Sequence, residues 1–147
     1  ENIINMCRFP IYGGKRGLGL VRENFWGKKN LISDPPIIIP QIETIKAVNN
    51  IKDITSFNFQ KYLIGPYDLS MSIGFPGDFN NKNFINAINK IKLNIKKENM
   101  AVHIPDKIED EIDRFKDLSM ICLGMDSLFI LNSSDKLNLL LSDKGLL

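Results

Sequence analysis

Tyr62-Leu63-Ile64-Gly65-Pro66 is a short apolar run closed by two chain breakers, and it reads as a buried β-strand ending at Gly65. Similar runs lie on both sides of it. Upstream, Ile37-Ile38-Ile39-Pro40-Gln41-Ile42-Glu43 has the composition of a buried strand, although Pro40 removes one ladder donor. Downstream, residues 100–104 form a third run stopped by Pro105, and residues 119–123 a fourth stopped by Gly124. The intervals between them carry helical spacing. Ala47, Val48, Ile51 and Ile54 recur on one face, and Phe84, Ile88, Ile91 and Ile95 make a stripe with Lys90, Lys92, Lys96 and Lys97 around it. Ile108, Ile112 and Phe115 mark another helix, with Glu109, Asp110, Glu111 and Asp113 near its start, where the helix dipole favours acidic groups.

The spacing predicts a breaker-rich loop at Gly65-Pro66-Tyr67-Asp68 and Gly74-Phe75-Pro76-Gly77-Asp78. Residues 128–130 and 137–141 are expected to form a short connection and a final helical turn or two. Four strands separated by helices imply right-handed crossovers and a parallel α/β sheet. Two architectures fit: a small open sheet, or about four βα units of an eight-stranded barrel that ordinarily takes about 250 residues. The chain opens at Glu1 rather than at Met, inside an apolar stretch with Ile3, Ile4 and Met6. That favours the half-barrel and a chain that is a piece of a longer one. With no repeat or linker visible, residues 1–147 are expected to form a single partial domain.

Composition narrows the function classes. The 147 residues are 44% hydrophobic, enough for a real core, and 19 Lys plus Arg against 17 Asp plus Glu leave a net charge of +2. No basic field exists for nucleic acid; the Lys-bearing stripe around residues 90–97 lacks stacking aromatics and reads as a solvated helix face. No run reaches the roughly 18 to 20 apolar residues of a membrane span, and no signal-peptide layout is present, so a cytoplasmic protein without a membrane partner is expected. Cys7 and Cys122 have no metal-type spacing and read as two buried thiols.

In a parallel sheet, sites sit at the C-terminal ends of strands. Glu43 ends the first strand and Asp68 lies just beyond the second. Neighbouring strands are about 4.8 Å apart, so both carboxylates can converge on one cation. Oxygen-only ligands suit a hard divalent ion, Mg²⁺ or Mn²⁺, with Co²⁺ a further option. The alternative at both positions is capping of the following helices. Backbone N–H groups around Pro66-Tyr67-Asp68 add a cradle for a carboxylate.

Residue identity goes further. Arg8-Phe9-Pro10, Gly14-Lys15-Arg16-Gly17-Leu18-Gly19, Gln41-Ile42-Glu43-Thr44 and Gly65-Pro66-Tyr67-Asp68-Leu69-Ser70-Met71-Ser72-Ile73-Gly74 follow one another in an order and at separations that resemble the class II, metal-dependent pyruvate aldolases of the HpcH/HpaI type. The last string is the most specific. The resemblance runs from Arg8 to Leu131 and implies the C-terminal half of a TIM barrel. It implies that Glu43 and Asp68 bind a divalent metal, that Gln41 lies beside the substrate oxygens, and that Tyr67 and Asp68 hold the pyruvate carboxylate through their N–H groups. The implied reaction is reversible cleavage of a 4-hydroxy-2-oxo acid to pyruvate and an aldehyde through a metal-stabilised enolate, in a homo-oligomer when intact.

The family's catalytic His and substrate-binding Arg belong to the preceding half of the barrel. No catalytic residue is therefore assigned within this chain, which is expected to be inactive alone. His103, the single His, does not match the catalytic position and reads as a satisfied or solvent-facing residue. Arg16 reads as a loop-fixing or subunit-contact residue, since no Gly-Lys-Ser/Thr follows to make a P-loop. Asp126 and Ser127 follow the last strand and read as a polar turn or as support for the site, and Phe25 with Trp26 as core packing. Two other readings remain: a noncatalytic half-barrel that needs a partner chain, or a related keto-acid or acyl-CoA lyase.

Overall fold

The computed structural model describes residues 2–17, 19, 22–28, 35–106 and 108–146. They fall into two compact units, Glu1–Ile39 and Pro40–Leu147.

In the first unit, helix α1 (Asn2–Cys7) leads into a 3-10 turn at Pro10–Tyr12. Here two of the strings noted above become one loop. Gly14 donates to the Phe9 carbonyl at 3.1 Å, Arg16 donates its backbone N–H to the Arg8 carbonyl at 2.8 Å, and the Arg16 guanidinium lies 4.8 Å from the centre of the Phe9 ring. A Cβ at Gly14 would collide with the backbone of Arg8, so this return accepts glycine only. Arg16 is thus a loop-fixing residue through its cation–π contact. Leu18 of the same string lies outside the described residues. Phe25 and Trp26 are 51% and 64% exposed with positive φ, so core packing is not their fate.

The second unit holds a four-stranded parallel sheet: β1 (Gln41–Ile42), β2 (Tyr62–Ile64), β3 (Met100–Ile104) and β4 (Met120–Leu123), side by side in chain order. Chain order distinguishes the two architectures. A doubly wound open sheet reverses direction at a switch point, whereas consecutive right-handed crossovers that never reverse leave every helix on one face, as in a barrel. The four βα units are therefore those of a half-barrel.

The register shows which side chains meet the helices. Ile42 lies opposite Ile64, Ile64 opposite Val102, and Val102 opposite Ile121. The first three are buried in one core with Val48, Ile51, Leu69, Phe84, Ile91 and Phe115 from the helices, and Ile121 packs against it. Side chains alternate across a strand, so Gln41, Leu63, Ala101 and Met120 form a row on the opposite face. One step further along come Glu43, Gly65, His103 and Cys122, with His103 paired to Cys122.

Several elements differ from the sequence expectation. The first strand is only Gln41–Ile42, because Pro40 cannot donate to the ladder and the preceding isoleucines are not paired. The helix after it splits into α2 (Ile45–Asn49) and α3 (Ile51–Thr55) at Asn50, whose side-chain amide bonds the Lys46 carbonyl and draws the backbone off the helical path. Pro66–Ile73 is helix α4 rather than loop, with Pro66 at its first position, where a missing N–H costs nothing. Helices α5 (Lys82–Asn94) and α6 (Ile108–Phe115) follow the predicted stripes. Asp126–Asp143 is one 18-residue helix, α7, in place of the short turns.

Outside the site, the Lys97 ammonium bonded 2.7 Å from Asp117 holds that carboxyl below the ordinary carboxylate range. Cys7 and Cys122 are free and half-buried rather than fully buried. No helix among the described residues is long and apolar enough to cross a membrane.

Candidate active site

A cleft of about 400 Å³ opens at the C-terminal ends of the strands, where parallel α/β folds place their chemistry. Gln41 from β1, Gly65 after β2, and Pro66, Tyr67 and Asp68 of the first turn of α4 line one side; His103, Pro105, Asp106, Met125 and Leu128 line the other. Gly65 is the hinge of this arrangement. Its φ of −103° is one that any residue adopts, so the requirement is space rather than backbone freedom. A Cβ there would stand 2.8 Å from the Gln41 amide nitrogen, 3.1 Å from Glu43 Cβ and 3.4 Å from the Glu43 carboxylate. Both side chains therefore lean into the gap that Gly65 leaves in its row.

The next turn supplies the complementary groups. Helix α4 has Gly65 as N-cap with no side-chain cap, and its first regular backbone bond runs from Leu69 N–H to the Gly65 carbonyl. Pro66 has no N–H, and the N–H groups of Tyr67 and Asp68 precede the first intrahelical bond, so they remain available to an anion. Asp68 is exposed and Glu43 half-buried. All of the residues assigned to metal or substrate in the sequence, Gln41, Glu43, Tyr67 and Asp68, thus fall at the ends of the adjacent strands β1 and β2.

The rest of the Gly65–Gly74 string has a structural account. Ser70 is fully buried; its hydroxyl donates to the Tyr67 carbonyl at 2.7 Å and accepts from Gly77 N–H at 2.8 Å, tying the loop after α4 back to its first turn. Ser72 accepts the Ile45 N–H at 3.0 Å, while Thr44 caps α2 by accepting the Ala47 N–H at 3.1 Å. Tyr67 meets Phe79 edge to face at 5.3 Å, which fixes the rim of the cleft against the core.

A hard divalent cation fits the donor set. Asp68 in the cleft lining and Glu43 beside Gly65 offer carboxylate oxygens, and the Gln41 side chain adds an amide. No group of three or more His, Cys, Asp or Glu side chains able to hold a metal occurs among the described residues. Two protein carboxylates leave positions for water and substrate oxygens, as a catalytic site requires.

On the opposite side, His103 Nε2 is 3.0 Å from the Gly124 carbonyl, so the ring is satisfied there, as expected. Sequence reasoning missed His103, Asp106, Met125 and Leu128 as cleft residues. The signal for His103 was available in the alternation of β3, which places it on the face of Gln41 and Glu43. Asp126 and Ser127 do not line the cleft; the Asp126 carboxylate accepts the Ser127 N–H at 2.7 Å in the first turn of α7, and their neighbours Met125 and Leu128 face the site instead.

No protein-family model matches the chain. It is 32% identical over 81 residues to the 4-hydroxy-2-oxovalerate aldolase of Rhodococcus jostii (strain RHA1), a match covering 52% of this chain and 31% of that protein. It is 31% identical over 83 residues to the 2-keto-3-deoxy-L-rhamnonate aldolase of Escherichia coli (strain K12 / DH10B), with the same two coverages. Matches to these relatives therefore span about a third of their length. The crystal structure of an HpcH/HpaI aldolase/citrate lyase family protein from Burkholderia cenocepacia J2315 superposes with a TM-score of 0.78 at 20% identity, over 95% of this chain and 58% of that one. The chain is homologous to named keto-acid aldolases over about half its length, and it shares the fold of the HpcH/HpaI aldolases whose strings it carries.

Proposed function

We propose that the complete protein is a divalent-cation-dependent aldolase that reversibly cleaves a 4-hydroxy-2-oxo acid to pyruvate and an aldehyde. The observation that carries this reading is the convergence of Gln41 and Glu43 over the gap at Gly65, beside the open first turn of α4 that bears Asp68. Glu43 and Asp68 would hold Mg²⁺ or Mn²⁺. When bound, the cation supplies positive charge that offsets the negative charge developing on the keto oxygen as the C–C bond breaks. The Tyr67 and Asp68 N–H groups orient the substrate carboxylate at the helix N-terminus, and the Gln41 amide positions the keto oxygen. The proton on the 4-hydroxyl must leave to a base, and no residue described here is assigned that task. We place the protein in the cytoplasm as a homo-oligomer, in keeping with the family resemblance.

Isothermal titration of the complete protein with Mg²⁺ and with Mn²⁺ is expected to show one saturable site, and a lactate-dehydrogenase-coupled assay to show pyruvate released from a 4-hydroxy-2-oxo acid and abolished by EDTA. Absence of cation binding removes the metal role. Cation binding with turnover but no pyruvate favours the related-lyase reading.

A second reading is favoured by α7. None of its 18 residues is buried, and Phe129, Ile130, Leu131, Leu137, Leu139 and Leu140 are all more than half exposed. Together with the edges of β1 and β4, unpaired among the described residues, this exposed apolar surface supports a half-barrel that functions only when paired with another chain. Sedimentation velocity of the 147-residue chain is then expected to show dimers or larger species. A strictly monomeric chain with one sharp thermal transition counts against it.

A further inference from the structure

The loop joining α4 to α5, residues 74–81, is exposed except at Phe79 and Asn81, which are half-buried. Phe79 turns inward, edge to face with Tyr67 at 5.3 Å and 5.2 Å from Phe84. Phe79, Glu111 and Phe115 also wall a crevice of about 10 Å³ that shares Pro66 and Tyr67 with the cleft. Such a crevice has room for one water at most, so a shift of Phe79 passes to Tyr67 instead of being taken up by empty space. The loop bonds mainly to itself and to α4: Gly77 N–H to the Ser70 hydroxyl, Asp78 N–H to the Phe75 carbonyl, Asn80 N–H to the Asp78 carboxylate. The Asn80 side chain reaches further. Its amide oxygen accepts from Arg114 Nη2 at 3.0 Å, 34 residues along the chain on α6. Arg114 Nε donates at the same time to the Glu111 carboxylate at 3.0 Å, so the planar guanidinium is held at one edge by its own helix and offers the other to the loop. Both partners are half-buried, whereas the Lys116–Asp113 pair of the same spacing on α6 is exposed.

We infer that Arg114 is a positioning residue for the keto-acid site: through Asn80 it holds Phe79 against Tyr67, and so fixes the first turn of α4, whose Tyr67 and Asp68 N–H groups receive the substrate carboxylate. This rests on the proposed site for the keto-acid head. Arg114 touches neither substrate nor cation in this arrangement. It acts by keeping the two N–H groups aimed before the anion arrives. A turn left free to tilt must be ordered when the anion binds, and that ordering lowers affinity. The helix of one βα unit thereby sets the binding turn of the unit before it, across a single side-chain bond next to the aromatic that carries the contact.

The complete protein with Mg²⁺ is titrated with pyruvate, which carries the keto-acid head alone, while the Tyr67 and Asp68 amides are followed by ¹⁵N NMR. Asn80→Ala is the cleaner variant, because it removes the bond to the loop from an exposed position and leaves the Arg114–Glu111 pair in place. It is expected to shift the Tyr67 amide before any ligand is added and to weaken pyruvate binding about fivefold. Arg114→Ala should give the same loss, and the double variant no more than either single one. Asn80→Asp still accepts from the guanidinium and should restore the parental affinity. Lys116→Ala, which breaks the other ion pair of α6, should bind pyruvate as the parent does. A folded Asn80→Ala protein with parental pyruvate affinity overturns the inference whatever its melting temperature, since the bond is then a stability contact only. An equal loss in Lys116→Ala overturns it too, because the stability of α6 would be the cause. If pyruvate leaves the Tyr67 and Asp68 amides of the parent unmoved, the site for the keto-acid head is wrong, and the inference built on it falls with it.

Discussion

Glu43→Gln and Asp68→Asn in the complete protein are each expected to weaken Mg²⁺ binding by about 100-fold or more and to lower turnover by about 10²–10⁴-fold, the range set by several kcal/mol of lost charge stabilisation. Both substitutions keep the shape of the side chain and remove only its charge. The two residues stand on different elements, Glu43 after β1 against Gly65 and Asp68 in the first turn of α4, so no shared local distortion would produce the same defect in both. The competing role for Asp68 is favourable interaction with the α4 dipole, which is worth about 0.3–1 kcal/mol of stability and nothing in cation affinity. Calorimetric titration beside a thermal melt therefore separates them. If Asp68→Asn lowers the melting temperature and leaves Mg²⁺ binding intact, Asp68 is a helix-terminal residue and the metal site is lost. Non-additivity sharpens the test, because two ligands of one cation act as a unit. The double variant should then be little worse than either single variant, whereas independent roles would multiply.

These two carboxylates were legible for different reasons. Glu43 follows from strand alternation once Gln41 and Ile42 are paired, since Ile42 faces the helices and its neighbours face away. Asp68 was legible by position, just beyond the second strand, and its metal role through the family string, although the breakers Gly65-Pro66 suggested a loop where a helix begins. A proline after a strand marks the start of a helix as readily as the end of the strand. The short β1 and the break at Asn50 were hidden because apolar content marks burial and says little about hydrogen-bond pairing. Helix α7 escaped since its leucines, Phe129 and Ile130 trace no single stripe; none of its residues is buried, so no core face imposed one. Asp106, Met125 and Leu128 reach the cleft through where the segments after β3 and β4 turn, which no periodicity encodes. The place of His103 on the Glu43 face was within reach of the alternation along β3, which turns Val102 and Ile104 into the core.

Phe84→Ala is expected to destabilise the Pro40–Leu147 unit by about 3–5 kcal/mol, a large part of the 5–15 kcal/mol that a domain of this size holds. Phe84 is 1% exposed at the start of the α5 stripe, where it packs with Ala87, Ile88 and Ile91 into the core beneath the sheet. Its ring lies 5.2 Å from Phe79, and Phe79 meets Tyr67 edge to face at 5.3 Å. Removing the Phe84 ring therefore opens a cavity and also withdraws the support of the aromatic that holds the cleft rim. Urea denaturation should show a lower midpoint with an unchanged slope, and the melting temperature should fall by on the order of 10–30 °C. Leu93→Ala on the same helix is the control: at 86% exposure it should stay within about 0.5 kcal/mol of the parent. Equal effects at the two positions would mean that α5 does not pack through the Phe84 face. The α4 turn that carries Tyr67 and Asp68 would then be held by buried Leu69 and by Ser70, whose hydroxyl joins the Tyr67 carbonyl to Gly77 N–H. With the packing as described, a variant that retains enough fold to assay should lose affinity for the keto acid before it loses helix content, because the aromatic chain ends at the residue that lines the cleft.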